Sequence, residues 1–192
     1  MEIVIRNDKA EISGYVNAVA RDSKPIRDED GYFVEQMEPG VFARALTKRP
    51  NVEILLNHDS SRRLGCTGEN LELKEDSIGL FARAIISDAE VIEKAKRGKL
   101  RGWSFAFLPL DMREEMTMNI PRRHVLELEL YEVSIIDENR IPVYSGTSIE
   151  ARADGEENKK IMLRMVDDEL TVKEVEKIDY SPYEERLRAL EV

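Results

Sequence analysis

A chain of 192 residues is long enough for one domain of ordinary size, with residues to spare. Its 29 basic and 39 acidic side chains leave a formal charge of −10, and the short basic clusters Lys48-Arg49, Arg62-Arg63, Lys94 to Arg101 and Arg122-Arg123 are interleaved with acids, which argues against a nucleic-acid partner. The lone cysteine, Cys66, excludes an intrachain disulfide, and no run of about 18 apolar residues is present to span a membrane, so a soluble protein of a reducing cytoplasm is expected.

The start, Met1 to Arg6, alternates and lacks the apolar core of a signal peptide. Glu11 to Ala20 reads as a strand that leads into Arg21 to Gly31, a loop by its Asp, Lys and Pro content. Pro39 to Leu46 suits a short helix with proline in its first turn, ending before Pro50. Val52 to Asn57, Leu64 to Lys74 and Ile78 to Ile86 follow as strands. Ser87 or Asp88 then caps a helix to Arg97, closed by Gly98. Trp103 to Leu110 and Arg123 to Ile136 read as two long strands joined by Asp111 to Pro121. From Thr147 the character changes, and residues 151–192 read as a charged linker and C-terminal segment, partly helical or disordered, after a domain of residues 1–150.

Three polar residues stand on these strand patterns. His58 closes Val52 to Asn57 in phase with Val52, Ile54 and Leu56, and Ser104 shares a face with Ala106, opposite Trp103, Phe105 and Phe107. Glu132 falls in phase with Leu126, Leu128 and Leu130, whereas Glu127 and Glu129 take the other face. A carboxylate on an apolar face calls for a partner, and an imidazole would serve. A serine becomes a nucleophile when a base takes its proton, and that base needs a third group to hold its tautomer. This logic makes Ser104 the nucleophile, His58 the base and Glu132 the orienting acid. The bland reading of the same residues is a loop histidine, a small buried serine and a glutamate paired with an arginine.

Other chemistries find less support. Two histidines 66 residues apart and one cysteine make no zinc spacing, so no metal and no cofactor is expected. The esterase elbow needs glycine two residues to either side of serine, and here Gly102 is present but Ala106 stands at the second place. Cys66, in the turn-rich Leu64-Gly65-Cys66-Thr67-Gly68, is expected to pack rather than react. Arg62-Arg63, close to His58, is a candidate substrate contact.

The order His, Ser, acid resembles the tailed-phage (caudovirus) prohead or capsid-maturation serine proteases, whose fold is similar to herpesvirus assemblin. The matching stretches are Gly14-Tyr15, Phe33 through Phe42 with Glu38-Pro39-Gly40-Val41-Phe42, Leu56-Asn57-His58-Asp59 with Leu64-Gly65, Gly79-Leu80, Gly102-Trp103-Ser104-Phe105-Ala106-Phe107 and Leu130-Tyr131-Glu132-Val133-Ser134-Ile135-Ile136. Together they span about residues 10 to 142, with Ala106 where the family often has Gly and Asn139-Arg140-Ile141-Pro142 where it often has Pro-Ala-x-Pro.

The resemblance implies a mainly β (α+β) fold, a small antiparallel assemblin-like β-barrel with a few surrounding helices. It implies a serine endopeptidase that cleaves scaffold, or the scaffolding segment of the major capsid protein, during prohead maturation in the bacterial host cytoplasm, and that also cleaves itself. Its partner would be that capsid protein or scaffold, with homo-oligomerisation possible in such enzymes. Assemblin-type enzymes carry a second histidine as third member, which makes His124 a competitor to Glu132. Eight residues separate these two by about 26 Å along one strand, so both cannot serve. His124 is expected at an exposed strand end, and Glu129 is the second choice if a bulge shifts the register. The backbone amides near Asn139-Arg140 are the expected oxyanion donors. A non-catalytic capsid-assembly factor and a small-molecule esterase are the alternative functions.

Overall fold

Apolar side chains from two β-sheets meet in one core, and the strands that carry the polar candidates belong to the larger sheet. The computed structural model describes residues 1–6, 8–117, 120–142, 162–163 and 165–167. The first sheet has the order β1 (Glu2–Arg6), β2 (Lys9–Ala18), β8 (Gly79–Ile86), β7 (Leu71–Glu75), all antiparallel. The second runs β12 (Met162–Leu163), β9 (Leu100–Met116), β10 (Pro121–Asp137), β4 (Gly31–Met37), β3 (Ile26–Asp28), with β5 (Glu53–Leu56) also on β10 and β6 (Asp59–Cys66) on β5. A two-stranded pair joins β11 (Arg140–Pro142) to β13 (Met165–Asp167).

The protein is mainly β, as expected, but among the described residues no barrel closes. The reason lies in β10. One of its edges takes β9 along its whole length, and its other edge is shared between β4 at Arg122–Val125 and β5 at Glu132–Ile135, both parallel to it. Among the described residues the two sheets meet mainly by packing, with the Ala20 amide donating to the Met37 carbonyl at 2.8 Å and an isolated Thr67–Leu71 bridge between them, and the expected all-antiparallel order fails at the β10–β4 and β10–β5 pairings. Ile12, Leu80, Ala82 and Ile86 from one sheet meet Ile54, Trp103, Phe105, Phe107, Leu128 and Val133 from the other. Phe105 stacks on Phe107 and meets Phe42 edge to face, an arrangement that adds to burial alone.

The second helix falls where its caps predicted, whereas the first starts two residues later than expected, with Pro39 before its Gly40 N-cap rather than in its first turn. In α2 (Ala89–Lys96) the Asp88 carboxylate accepts the Val91 amide at 3.0 Å, and Gly98 follows with a positive φ. Helix α1 (Val41–Lys48) has Gly40 as N-cap and no local side-chain cap; instead the distant Glu75 carboxylate accepts the Gly40 and Ala43 amides at 2.6 and 2.7 Å. An acid at a helix N-terminus satisfies orphan donors and complements the dipole, so this contact fixes α1 to β7.

Three local expectations need correction. Arg21 to Gly31 is not all loop, since β3 forms a hairpin with β4 inside it. Leu64 to Lys74 is two strands, β6 and β7, rather than one. Asp111 to Pro121 is largely strand: β9 continues to Met116, where Glu114 and Glu115 stand opposite Arg123 and Arg122 and pair with them. Of the C-terminal segment 151–192, only the short strands β12 and β13 are described, and both are extended rather than helical; its remaining residues lie outside the described ones.

Candidate active site

The tip of the β5–β6 hairpin is a two-residue turn, with Leu56 paired to Asp59 and both Asn57 and His58 in the left-handed region, φ 56° and 59°. This is the turn whose twist suits a two-residue hairpin, and asparagine tolerates it better than most residues. The tip is stitched to β10 by three bonds. The Asn57 amide donates to the Ile135 carbonyl at 2.9 Å, the Asp137 amide donates to Asn57 Oδ1 at 3.0 Å, and the His58 amide donates to Ser134 Oγ at 3.1 Å. His58 therefore does not extend a strand, and its direction follows from the turn rather than from phase with Ile54 and Leu56. Its side chain is 2 % exposed.

The register of β9 and β10 positions the other two candidates. Ser104 stands opposite Ser134, and Ala106 opposite Glu132. Between Leu130 and Glu132 the register slips by one residue, leaving Tyr131 as the extra residue of a bulge. Before the bulge, Leu128 and Leu130 share the core face with Phe107; after it, Val133 and Ile135 do, with Phe105 and Trp103. Glu132 therefore lies on the opposite face, with Ser104, Ala106 and Ser134. Glu132 is thus not in phase with Leu128 and Leu130 as expected, because the bulge at Tyr131 breaks the period of two.

On this second face the three candidates come together. His58 Nε2 lies 2.7 Å from Ser104 Oγ, and His58 Nδ1 is hydrogen-bonded to Glu132 Oε1. The other carboxylate oxygen, Oε2, accepts from Ser134 Oγ at 2.7 Å. Ser104 and Ser134 are fully buried, and the Glu132 side chain is 9 % exposed. A hydroxyl, an imidazole and a buried carboxylate in line can pass the hydroxyl proton to the ring and hold the resulting imidazolium. Ser134 escaped the sequence reading. The available signal was its place two residues beyond Glu132, which on an unbroken strand after the bulge shares that face.

The competing third members lie elsewhere. Glu129 is on the same face, but its carboxylate accepts from Arg49 at 2.9 Å and from Tyr131 at 3.3 Å. His124 is buried at 6 % exposure, not exposed as expected, because the longer β9 and the segment after β4 flank it. Its Nδ1 lies 2.7 Å from Glu38 and its Nε2 2.9 Å from Glu115, and its bond is the largest cause holding the Glu115 carboxyl below its ordinary range. Of the backbone amides expected as oxyanion donors, that of Asn139 has a partner inside the protein. The Asn139 amide donates to Asp137 Oδ1 at 3.0 Å, inside the cluster in which Lys94 Nζ reaches Asp137 Oδ2 at 2.6 Å. Arg62 pairs with Asp88 and Glu90, and Arg63 with Glu53 and Glu69, so both arginines sit in surface ion pairs. Cys66 is buried, as packing predicted.

A serine, histidine and carboxylate relay set on a β framework is the arrangement of a serine hydrolase. The chain belongs to the caudovirus prohead serine protease family, whose family model matches residues 1–161. Comparisons with curated proteins and with solved structures found no match. The family is one of serine proteases that act in prohead maturation. Among the described residues, no helix is long and apolar enough to cross a membrane.

Proposed function

We propose that the chain is a serine endopeptidase in which Ser104 is the nucleophile, His58 the general base and Glu132 the orienting acid. The supporting observation is the reach of one imidazole, His58, to Ser104 Oγ through Nε2 and to Glu132 through Nδ1. Ser104 Oγ bonds to the scissile carbonyl carbon as its proton passes to His58 Nε2. Glu132 holds the Nδ1–H and stabilises the imidazolium. His58 then gives the Nε2 proton to the leaving amine as the C–N bond breaks, and a water molecule repeats the cycle on the acyl-Ser104 ester.

The substrate is the scaffold or the scaffolding segment of the major capsid protein, inside an assembling prohead in the host cytoplasm, and the enzyme cleaves itself there as well. Family membership supports this substrate class. The alternative, an assembly factor without catalysis, gives no reason for a buried carboxylate to bridge an imidazole and a second serine. The test is co-expression with the neighbouring capsid protein, with and without Ser104→Ala, followed by intact-mass measurement. Shortened capsid protein with the wild type alone is the expected result. Full-length capsid protein in both samples, with shells still assembling, would replace this reading by the assembly factor.

A further inference from the structure

Strand β12 adds to the free edge of β9, on the side away from β10, antiparallel, with Met162 opposite Phe107 and Leu163 opposite Ala106. Leu163 thus stands two residues, about 7 Å, along β9 from Ser104. Directly paired antiparallel residues lie about 4.5–5.5 Å apart between Cα atoms, so an extended peptide continued along this edge would run beside the serine. Farther on, β13 pairs antiparallel with β11, Met165 opposite Pro142 and Asp167 opposite Arg140. The described strands thus lie on the edge of the nucleophile strand and on the short strand that follows β10.

An extended peptide held by main-chain bonds to an existing sheet edge is a recurring way of recognising peptides, and it presents a peptide bond in a defined register. We infer that the β9 edge at Ser104–Phe107, together with β11, is the substrate groove, that it takes extended peptide segments by strand addition, and that the chain's own Met162–Leu163 and Met165–Asp167 occupy it as an intramolecular competitor. A second peptide enters only when this strand leaves. The inference rests on Ser104 being the nucleophile for its functional meaning, but the competition itself is a matter of binding.

The test uses the full chain carrying Ser104→Ala, with and without Leu163→Pro. Proline has no amide hydrogen for the ladder and disfavours a paired strand. The probe is a fluorescein-labelled synthetic peptide with the sequence of residues 158–170, titrated by anisotropy. Because a self-occupied groove lowers apparent affinity by the fraction left open, Leu163→Pro should bind the probe at least about tenfold more tightly than its parent. Amides of the Ser104–Phe107 segment should exchange hydrogen faster in Leu163→Pro, while those of Leu130 and Val133 keep their protection, which also establishes that the variant is folded. Equal probe affinity in both chains, or unchanged exchange at Ser104–Phe107, would overturn the inference. Loss of the catalytic reading would show up instead as Ser104-independent processing of the capsid protein, with these binding results unaltered.

Discussion

Ser134 Oγ donates to Glu132 Oε2 at 2.7 Å and accepts the His58 amide at 3.1 Å, so one hydroxyl fixes both the acid and the backbone of the base. Ser134→Ala removes both contacts without touching Ser104. A hydrogen bond to a charged group contributes about 1.5–3 kcal/mol, so the variant should lose on the order of tenfold in kcat with little change in KM. Steady-state cleavage of a capsid-protein peptide measures it. An unchanged kcat would mean that Glu132 is held by His58 alone.

Glu132→Gln keeps the shape of the acid and reverses its chemistry. The amide nitrogen can donate to His58 Nδ1, which places the ring proton on Nε2, where it can no longer accept from Ser104. The rate should fall on the order of a thousand- to ten-thousand-fold, as expected for a wrongly set tautomer, with the fold retained by circular dichroism. If Glu129 or His124 served as the third member, this variant would be nearly as active as the parent.

The Asn57-His58 turn predicts an ordering of stabilities. Asn57→Gly keeps the positive φ and loses only the bond to the Asp137 amide, a cost of about 1 kcal/mol. Asn57→Ala loses the bond and also strains an L-residue in the left-handed region, for a total of about 2–3 kcal/mol. Urea unfolding of the two variants should place alanine below glycine, the reverse of the order in a helix or strand.

Burial raises the pKa of Asp137, but the bonds from Lys94 and Asn139 outweigh it and hold the carboxyl below its ordinary range. Burial lowers the Lys94 pKa, and Asp137 and Glu90 more than compensate, so it stands above its ordinary value. A lowered acid stabilises the fold above its unfolded pKa and loses that contribution as the pH falls through the folded one; a raised lysine stabilises below its unfolded pKa and loses that as the pH rises through the folded one. Lys94→Met leaves the carboxylate buried with less compensation and should destabilise by about 3 kcal/mol at neutral pH. The deficit should shrink below about pH 4, where Asp137 protonates more readily in the variant. Urea midpoints at pH 7 and pH 3.5 check this.

Much of the fold was legible because its signals are local. Asp88 and Gly98 bracketed α2, and the alternation of Ile78 to Ile86 gave β8. Strand β4 was missed because Phe33, Val34, Glu35 and Met37 are all buried, so no alternation marks it. The three residues singled out in the sequence meet in the structure, but not by the strand phase that singled them out. A bulge at Tyr131 and a left-handed turn at His58 are departures from strand geometry, and a period of two has no term for either. Ser134 carried a signal in its spacing from Glu132, but its bond to the His58 amide appears only once β5 and β10 are side by side. The remote cap of α1 by Glu75 is likewise a tertiary contact, made across the gap between two elements that the sequence lists far apart.

Strand β10 closes against β5 through contacts between residues far apart in the chain; Asn57 and Asp137 stand 80 positions apart. Such pairings form late, after the local hairpins, because closing a long loop must precede them. During synthesis His58 and Ser104 leave the ribosome before Glu132, and the imidazole has neither its acid nor the anchor for its own backbone until the end of β10 has docked on β5. On the proposed mechanism, a chain whose β10 has not docked lacks the relay, so activity would belong only to molecules whose larger sheet is complete.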